Sequence, residues 1–198
     1  MTDKKNVVDI TNMQVDLEIA SFVLRSGGTI LYPTETVWGL GCDATDEDAV
    51  DTIFNLKKTT DNKALIVLVD SFQMIKRYVK KIPDKAEEIL REATKPTTII
   101  YPGAKDLADR IVAEDGSIGI RITTNPFCLE LLKHIRRPIV STSANISGEL
   151  TPQRFSDIFI DLIYNVDYVV RWGQNDDSVN DPSRIIKIFD NGETKIIR

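Results

Sequence analysis

The sequence predicts an α/β (α+β) fold, a single domain over residues 1–198 in which helices flank a twisted mixed sheet. Helical and strand-like patterns alternate along the chain, and no internal repeat or linker-like segment interrupts them. Residues 64–69 form a continuous apolar run of strand length, as expected for a strand covered on both faces. Near the C-terminus, Asn191-Gly192 separates two strand-like segments and predicts a hairpin with a type I′ turn.

The predicted elements follow the hydrophobic periodicity of each segment. The clearest helix covers residues 46–57, with Thr45 or Asp46 as its N-cap and one apolar face. The residues of that face are Ala49, Val50, Ile53, Phe54 and Leu56. Further helices are predicted over 12–26, 71–79, 84–92 and 125–134, with another opening at Thr151-Pro152. The remaining strands are predicted over 29–32, 97–101, 117–122, 138–141, 167–171, 184–189 and 193–198, and a loop over 33–43.

The charge and hydropathy of the chain favour a focused ligand site over a broad nucleic-acid-binding face. A net charge of −5 argues against strong non-specific binding to nucleic acid, which depends on Lys and Arg neutralising phosphates. No apolar run approaches the roughly 18–20 residues that span a bilayer. The N-terminus lacks the apolar core of a secretory signal. We therefore expect a cytoplasmic protein with no membrane partner.

Few residues are suited to metal binding or to nucleophilic catalysis. Cys42 and Cys128 lie far apart without a CxxC spacing, so we expect them to be reduced and partly buried. His134 is the single histidine, which excludes a site with several histidine ligands, and its position fits the end of a helix. We therefore predict no metal site built from protein side chains. P-loop, dinucleotide-binding, nucleophile-elbow and zinc-protease motifs are absent from the sequence.

Three polar segments lie at or beside predicted strands, where open α/β sheets commonly bind ligands. YPTETVWGLG (32–41) is rich in hydroxyl groups and glycine, and STSANISG (141–148) offers a dense set of hydrogen-bond donors. GIRI (119–122) places an arginine inside an apolar strand, where the charge needs a partner. Each segment also has a structural interpretation: a tight buried loop, turns and helix caps, and a structural salt bridge, respectively. Lys57 and Lys58 can likewise be plain cations at a helix C-terminus.

Taken in order, these segments resemble the YrdC family. The first resembles the family signature P-T-[DE]-T-V-Y-G-L-G, with Trp38 in place of Tyr. IFNLKK followed by NKALIVLV resembles the K-x-R motif and its following strand, and GIRI resembles the strand that bears the substrate-binding arginine. STSANISG contains the S-x-N motif, while DPSRIIKI and KIIR resemble the C-terminal segments of the family.

The resemblance implies a YrdC-like fold with an open ligand-binding cleft and L-threonylcarbamoyladenylate synthase activity. Such enzymes condense L-threonine, bicarbonate and ATP, with Mg²⁺, into threonylcarbamoyl-AMP and pyrophosphate. Downstream tRNA threonylcarbamoyl-transfer proteins use the product to make threonylcarbamoyladenosine (t6A), and a weak tRNA contact belongs to the expected partners. The amine of threonine is its own nucleophile, so the protein mainly positions three reactants and neutralises phosphate charge.

The resemblance also implies roles for individual residues. Lys57 is the implied catalytic residue, approaching the phosphates, and Arg121 is the planar fork for the threonine carboxylate. The residues implied to bind threonine are Thr34, Thr36, Arg121, Ser141 and Ser183. The residues implied to bind the nucleotide are Lys57, Thr59, Lys63, Ser117, Ser143, Asn145, Thr151 and Arg198.

The chain departs from the family pattern in the K-x-R motif. Thr59 stands at the position of the arginine, and Leu68 stands where many members have histidine. We expect Lys58 or Lys63 to supply the missing charge and favour Lys63, because it immediately precedes the apolar strand. Two other interpretations stay open. One is a YciO-like paralogue with weak or different nucleotide chemistry, and the other is a non-catalytic module that binds tRNA or double-stranded RNA.

Overall fold

The computed structural model describes residues 4–61 and 65–198, with side chains from Met13 onward, and shows helices packed on a mixed sheet. The helices are α1 (Lys4–Arg25), α2 (Glu47–Lys57), α3 (Phe72–Tyr78), α4 (Lys85–Arg91), α5 (Pro126–Ile135) and α6 (Ile160–Asn165). The strands are β1 (Ile30–Tyr32), β2 (Gly39–Gly41), β3 (Ile66–Val69), β4 (Thr97–Tyr101), β5 (Ile118–Ile122), β6 (Ile139–Ser143), β7 (Tyr168–Val169), β8 (Arg184–Ile188) and β9 (Thr194–Ile196).

Within the described residues the strands form one sheet in the order β7-β1-β2-β6-β3-β5-β4-β8-β9. The pairs β1–β7, β3–β5 and β4–β8 are parallel, and the remaining neighbours are antiparallel. The predicted mixed sheet flanked by helices is therefore confirmed. β6 lies near the middle of the sheet, between β2 and β3, and carries the start of the STSANISG segment.

Two helices begin where the capping pattern predicts. Asp46 caps α2 by accepting a hydrogen bond from Ala49 N at 3.0 Å, and Asn125 caps α5 by accepting from Cys128 N at 3.2 Å. Pro126 occupies the first turn of α5, where its missing N–H costs nothing. The apolar face of α2 is buried except for Leu56, which is half-buried, and Lys57 is buried in addition.

Several local predictions were wrong. The predicted loop 33–43 contains β2, and β6 runs to Ser143 rather than ending at residue 141. No helix opens at Thr151-Pro152. Instead, a 3₁₀ turn at Phe155–Asp157 is followed by α6, because Pro152 is buried in irregular chain.

The C-terminal hairpin is present, but its turn differs from the predicted type I′. Within this turn only Gly192 has a positive φ, of 82°. Phe189 O accepts a hydrogen bond from Gly192 N at 2.9 Å. Phe189 N in turn donates to Glu193 O at 2.9 Å. This is the three-residue loop in which a type I turn is followed by glycine in the left-handed region. Asn191 therefore does not need a positive φ.

The two cysteines and the single histidine take no part in chemistry at a site. Cys42 and Cys128 are free thiols and fully buried, rather than partly buried as predicted. Burial raises the pKa of both thiols, so neither is a thiolate nucleophile near neutral pH. His134 is exposed near the end of α5 with Nδ1 2.8 Å from Glu130 O. In the described part of the chain, no cluster of metal-binding side chains occurs and no helix is long and apolar enough to cross a membrane.

Candidate active site

A cavity of about 540 Å³ opens on the sheet where the three polar segments meet. The first segment forms one wall, the loop after β6 forms another, and the C-terminal hairpin closes a third side. The polar and charged residues that line it are Thr34, Thr36, Lys57, Arg121, Ser141, Thr142, Ser143, Asn145, Ser147, Thr151, Gln153, Ser183 and Arg198. A second cavity of about 410 Å³ adjoins it and shares the segment from Thr34 to Trp38. The volume suits a ligand of nucleotide size.

Arg121 lies in β5 at the cavity and is 4% exposed. Its Nε is 2.9 Å from Glu35 Oε1, an ion-pair distance, but the two groups are not aligned for a hydrogen bond. The terminal nitrogens of the guanidinium make no hydrogen bond with any side chain or carbonyl that the structure describes. The structure therefore shows the predicted salt bridge, and because Glu35 lies only on the Nε side, the pair leaves the terminal nitrogens available to a ligand.

Lys57 is the last residue of α2, yet it is only 3% exposed and lines the cavity. Its ammonium donates to the carbonyl oxygens of Ser143 at 2.8 Å and Asn145 at 2.7 Å. An ammonium has three donors, so one N–H is left for a ligand. Burial lowers the pKa of Lys57 to about 8 because it penalises the charged form. The side chain therefore holds the loop after β6 and also brings a positive charge to the cavity.

Thr34 and Thr36 meet through a compact bend rather than through an extended segment. Thr34 Oγ1 donates to Val37 O at 2.6 Å and accepts from Thr36 N at 3.1 Å. The two hydroxyl oxygens are 3.0 Å apart. Because the single hydroxyl proton of Thr34 is used on Val37, Thr36 must be the donor of this pair. The oxygen of Thr36 thus keeps its acceptor capacity for a ligand.

The loop after β6 is held in shape by its own polar groups. Ser143 Oγ donates to Asn145 Oδ1 at 2.5 Å, and Asn145 Nδ2 donates to Ile146 O at 3.0 Å and Glu149 O at 2.9 Å. Ser147 N donates to Lys57 O at 3.0 Å, so the end of α2 supports this loop through backbone as well as side chain. Ser141 lies two residues before Ser143 in β6, is buried, and also lines the cavity.

The C-terminal hairpin supplies the remaining predicted residues. Ser183 is 3% exposed, and its Oγ is 2.9 Å from Thr98 Oγ1. Arg198 Nε donates to Ser183 O at 3.1 Å, and the arginine remains exposed at the cavity. Thr151 also lines the cavity from the irregular chain before the 3₁₀ turn.

Two predicted nucleotide-binding residues do not reach the cavity. The hydroxyl of Ser117 is bonded to Asp115 Oδ1 at 2.5 Å, and Asp115 in turn pairs with Lys187. Thr59 accepts a hydrogen bond from Asp61 N at 3.1 Å in the turn after α2. Lys58 is exposed with a left-handed backbone, φ 52°, and does not line the cavity. Lys63 lies outside the described residues.

Glu35 is a buried charged residue next to the site that the sequence analysis did not identify. It stands inside the first motif as the only charge in an otherwise uncharged segment, while Arg121 is a lone charge in an apolar strand. Pairing these two isolated opposite charges was the available signal. The sequence contains many other carboxylates, so the pairing became evident only in three dimensions.

The charges that line the cavity define the ligands that it can take. Among the described lining residues there are three cationic side chains, Lys57, Arg121 and Arg198, and no carboxylate side chain. Hydroxyl and amide groups complete the walls. The fold and the cavity therefore define an α/β protein with an open cleft for small anionic molecules, held by a buried guanidinium and a buried ammonium.

Comparisons with known proteins assign the chain to a family. A family model described as telomere recombination, named after Sua5, YciO and YrdC, matches residues 22–198, and the chain belongs to this family. A threonylcarbamoyl-AMP synthase of Pseudoalteromonas translucida is 36% identical over 141 residues, covering 70% of this chain and 75% of that protein. One from Stenotrophomonas maltophilia is 33% identical over 148 residues, covering 73% and 80%.

Solved structures agree with the family assignment. The P. abyssi Sua5 structure complexed with L-threonine superposes with a TM-score of 0.82 at 28% identity, covering 92% of this chain. The chain spans 53% of that protein. The structure of E. coli YciO superposes with a TM-score of 0.79 at 24% identity, covering 94% and 89%, and shows the shared fold.

Proposed function

We propose that this protein is an L-threonylcarbamoyladenylate synthase, which condenses L-threonine, bicarbonate and ATP to threonylcarbamoyl-AMP and pyrophosphate. The observation that carries the proposal is the meeting of Arg121, Lys57 and the loop after β6 around one cavity. The relatives named threonylcarbamoyl-AMP synthase support the same activity. In this reaction the amine of threonine combines with bicarbonate to form a carbamate and water. A carbamate oxygen then bonds to the α-phosphorus of ATP, and the bond from that phosphorus to the leaving pyrophosphate breaks.

The residues divide into a carboxylate end and a phosphate end. The terminal nitrogens of Arg121 suit a carboxylate, because a planar fork gives two parallel hydrogen bonds. Lys57 and Arg198 are the remaining cations of the described lining and suit phosphate oxygens. The protein supplies neither a nucleophile nor a general base in this scheme. It holds the reactants together and stabilises developing negative charge.

Mg²⁺ fits this site as an ion that arrives with ATP. The described residues that line the cavity include no carboxylate side chain, and no metal-binding cluster of side chains occurs in the described part of the chain. A Mg²⁺ ion typically keeps several waters and binds substrate phosphates, so such a site needs few protein ligands. When bound, the ion would neutralise charge on the pyrophosphate that leaves. Ser143, Asn145 and Thr151 line the cavity with oxygen-bearing side chains and would hold the ion or its waters.

The place of the protein in tRNA modification is part of the same proposal. Threonylcarbamoyl-AMP is a mixed anhydride that water hydrolyses, so downstream transfer proteins in the cytoplasm would take it up to make t6A on tRNA. A weak contact with tRNA is compatible with this scheme. The net charge of −5 favours direct transfer of the small product over tight tRNA binding by this chain.

The experiment that tests the proposal is pyrophosphate release by the purified protein with ATP-Mg²⁺, bicarbonate and L-threonine. We expect release that requires threonine and is lost in Arg121→Ala, with circular dichroism to confirm that this variant is folded. The fold check matters because the substitution leaves the Glu35 carboxylate buried without its partner. Pyrophosphate release independent of threonine, or none, would instead favour the YciO-like interpretation that the missing arginine at position 59 leaves open.

A further inference from the structure

The carboxylate of Glu35 lies behind Arg121 and not in the cavity. Glu35 Oε1 is 2.9 Å from Arg121 Nε, and the two side chains are 10% and 4% exposed. Arg121 lines the cavity, whereas Glu35 is not among the lining residues. Glu35 would therefore affect a ligand in the cavity mainly by changing the position of Arg121.

Glu35 is itself anchored to the start of α5. Thr123 Oγ1 donates to Glu35 Oε2 at 2.8 Å and accepts from Asn125 N at 3.2 Å. Asn125 is the N-cap of α5, bonded to Cys128 N at 3.2 Å. Thr123 is 2% exposed and Asn125 is 9% exposed, so this chain of hydrogen bonds is shielded from water. The orientation of the carboxylate is thus set by a helix terminus and not by a mobile surface group.

We propose that Glu35 is a positioning residue that turns the guanidinium of Arg121 so that its two terminal nitrogens face the cavity, and that Thr123 holds Glu35 in place. The inference deepens the proposed function, because it assigns the preference for a substrate that carries a carboxylate. Because the carboxylate of Glu35 lies beside Nε, a second carboxylate is repelled from that edge, and the terminal pair is the edge left for the substrate. Without Glu35 the guanidinium can turn and present its other edge.

The geometry indicates that charge, and not a directional hydrogen bond, holds the pair. Arg121 Nε and Glu35 Oε1 are close but misaligned for hydrogen bonding. An amide has the shape of the carboxylate without its charge, so Glu35→Gln should lose the orienting effect. Glu35→Asp keeps the charge on a shorter side chain and should retain part of it.

The test compares the binding of L-threonine, L-threoninamide and ATP to wild type and Glu35→Gln by calorimetry. We expect threonine binding to weaken roughly tenfold or more, the loss typical of removing a group that orients a binding side chain. Threoninamide, in which an uncharged amide replaces the carboxylate, and ATP should bind as before, so the ratio of threonine affinity to threoninamide affinity falls. Thr123→Val should shift this ratio in the same direction by a smaller factor.

Matched controls separate orientation from stability. Asp43→Asn removes a similarly buried carboxylate, which lies 2.7 Å from Arg137. This pair lies outside the cavity. Thr29→Val removes a buried hydroxyl that bonds Asp167 at 2.9 Å, also outside the cavity. Both should lower the melting temperature without changing the ratio. A folded Glu35→Gln or Thr123→Val with the wild-type ratio overturns the inference alone, whereas a wild type that binds no threonine overturns the proposed function with it.

Discussion

Burial changes both the pKa of Lys57 and the groups to which its ammonium donates. A lysine at the end of a helix commonly complements the helix dipole in solvent, but here it is enclosed and donates to two carbonyls of the loop after β6. Its pKa falls from the ordinary 10.5 to about 8 because burial penalises the ammonium. Lys57, the lysine of the K-x-R motif that the resemblance implies, therefore also stabilises the loop that carries the S-x-N motif.

This shift predicts that nucleotide affinity and folding stability change in opposite directions with pH. Above about pH 8 folded Lys57 loses its proton, so ATP binding should weaken as the pH rises from 7 to 9.5. Between about 8 and 10.5 the unfolded chain binds the proton that the folded chain has released, so the contribution of Lys57 to stability rises with pH. Calorimetric ATP titrations and urea unfolding across this range measure the two effects.

The control variants for this prediction are Lys57→Met and Lys58→Met. Lys57→Met should bind ATP weakly with little pH dependence over this range. Lys58 is exposed and outside the cavity, so Lys58→Met should reproduce the wild-type profile. If Lys57→Met retained the wild-type slope, the titrating group would be another one.

At the scale of elements, the site depends on the close approach of β2 and β6. Gly39 pairs with Ser143 and Leu40 with Thr142, and β2 also pairs with β1, so this three-residue strand is enclosed on both edges. A Cβ atom placed on Gly41 would lie 2.3 Å from Val140 O and 2.8 Å from the ring of Tyr32. Only a residue without a side chain fits there.

Gly41→Ala should therefore destabilise the fold by about 3 kcal/mol or more, at the upper end of overpacking costs, because a backbone oxygen cannot move aside like a side chain. Urea unfolding of the variant and of Gly119→Ala provides the comparison. The atoms nearest to an added Cβ at Gly119 are side-chain carbons, a methyl group of Ile66 at 3.3 Å and one of Thr98 at 3.5 Å, which can shift. Equal stabilities of the two variants would show that β2 and β6 can separate without cost.

At the scale of the whole molecule, the cavity joins parts of the chain from near residue 34 to the C-terminal residue. The hairpin β8–β9 pairs along the outer edge of β4, and Ile185 N donates to Arg198 O at 2.8 Å. This pairing returns Arg198 to Ser183 and to the cavity. A residue distant in sequence from Lys57 thus contributes a second cation to the cavity, at the end that we propose binds phosphate.

Arg198→Ala should weaken ATP binding by about 1.5 kcal/mol, roughly tenfold, as expected for loss of a hydrogen bond to a charged group near the surface. Threonine affinity should be unchanged, because Arg198 is assigned to the phosphate end. Lys195→Ala, on the exposed strand of the same hairpin, is the matched control and should behave as wild type. A loss of threonine affinity in Arg198→Ala with intact ATP binding would reverse the assignment of the two ends.

The sequence was sufficient for features that depend on neighbouring residues. The caps Asp46 and Asn125, the limits of β4 and the burial of one face of α2 follow from local hydrogen bonding and from helical or strand periodicity. The order of the motifs also placed residues such as Thr36, Arg121 and Asn145 in one site, and each of these lines the cavity.

Features set by contacts between distant parts of the chain required the folded structure. The sheet brings Glu35 beside Arg121 and buries Lys57 against the carbonyls of the loop after β6. It also places Ser117 outside the cavity, where its hydroxyl donates to Asp115. Many carboxylates could satisfy a lone arginine by charge alone, and no local pattern distinguishes them. The order of strands selects among these partners, because the cost of burying a charge is repaid only by the group that packing places beside it.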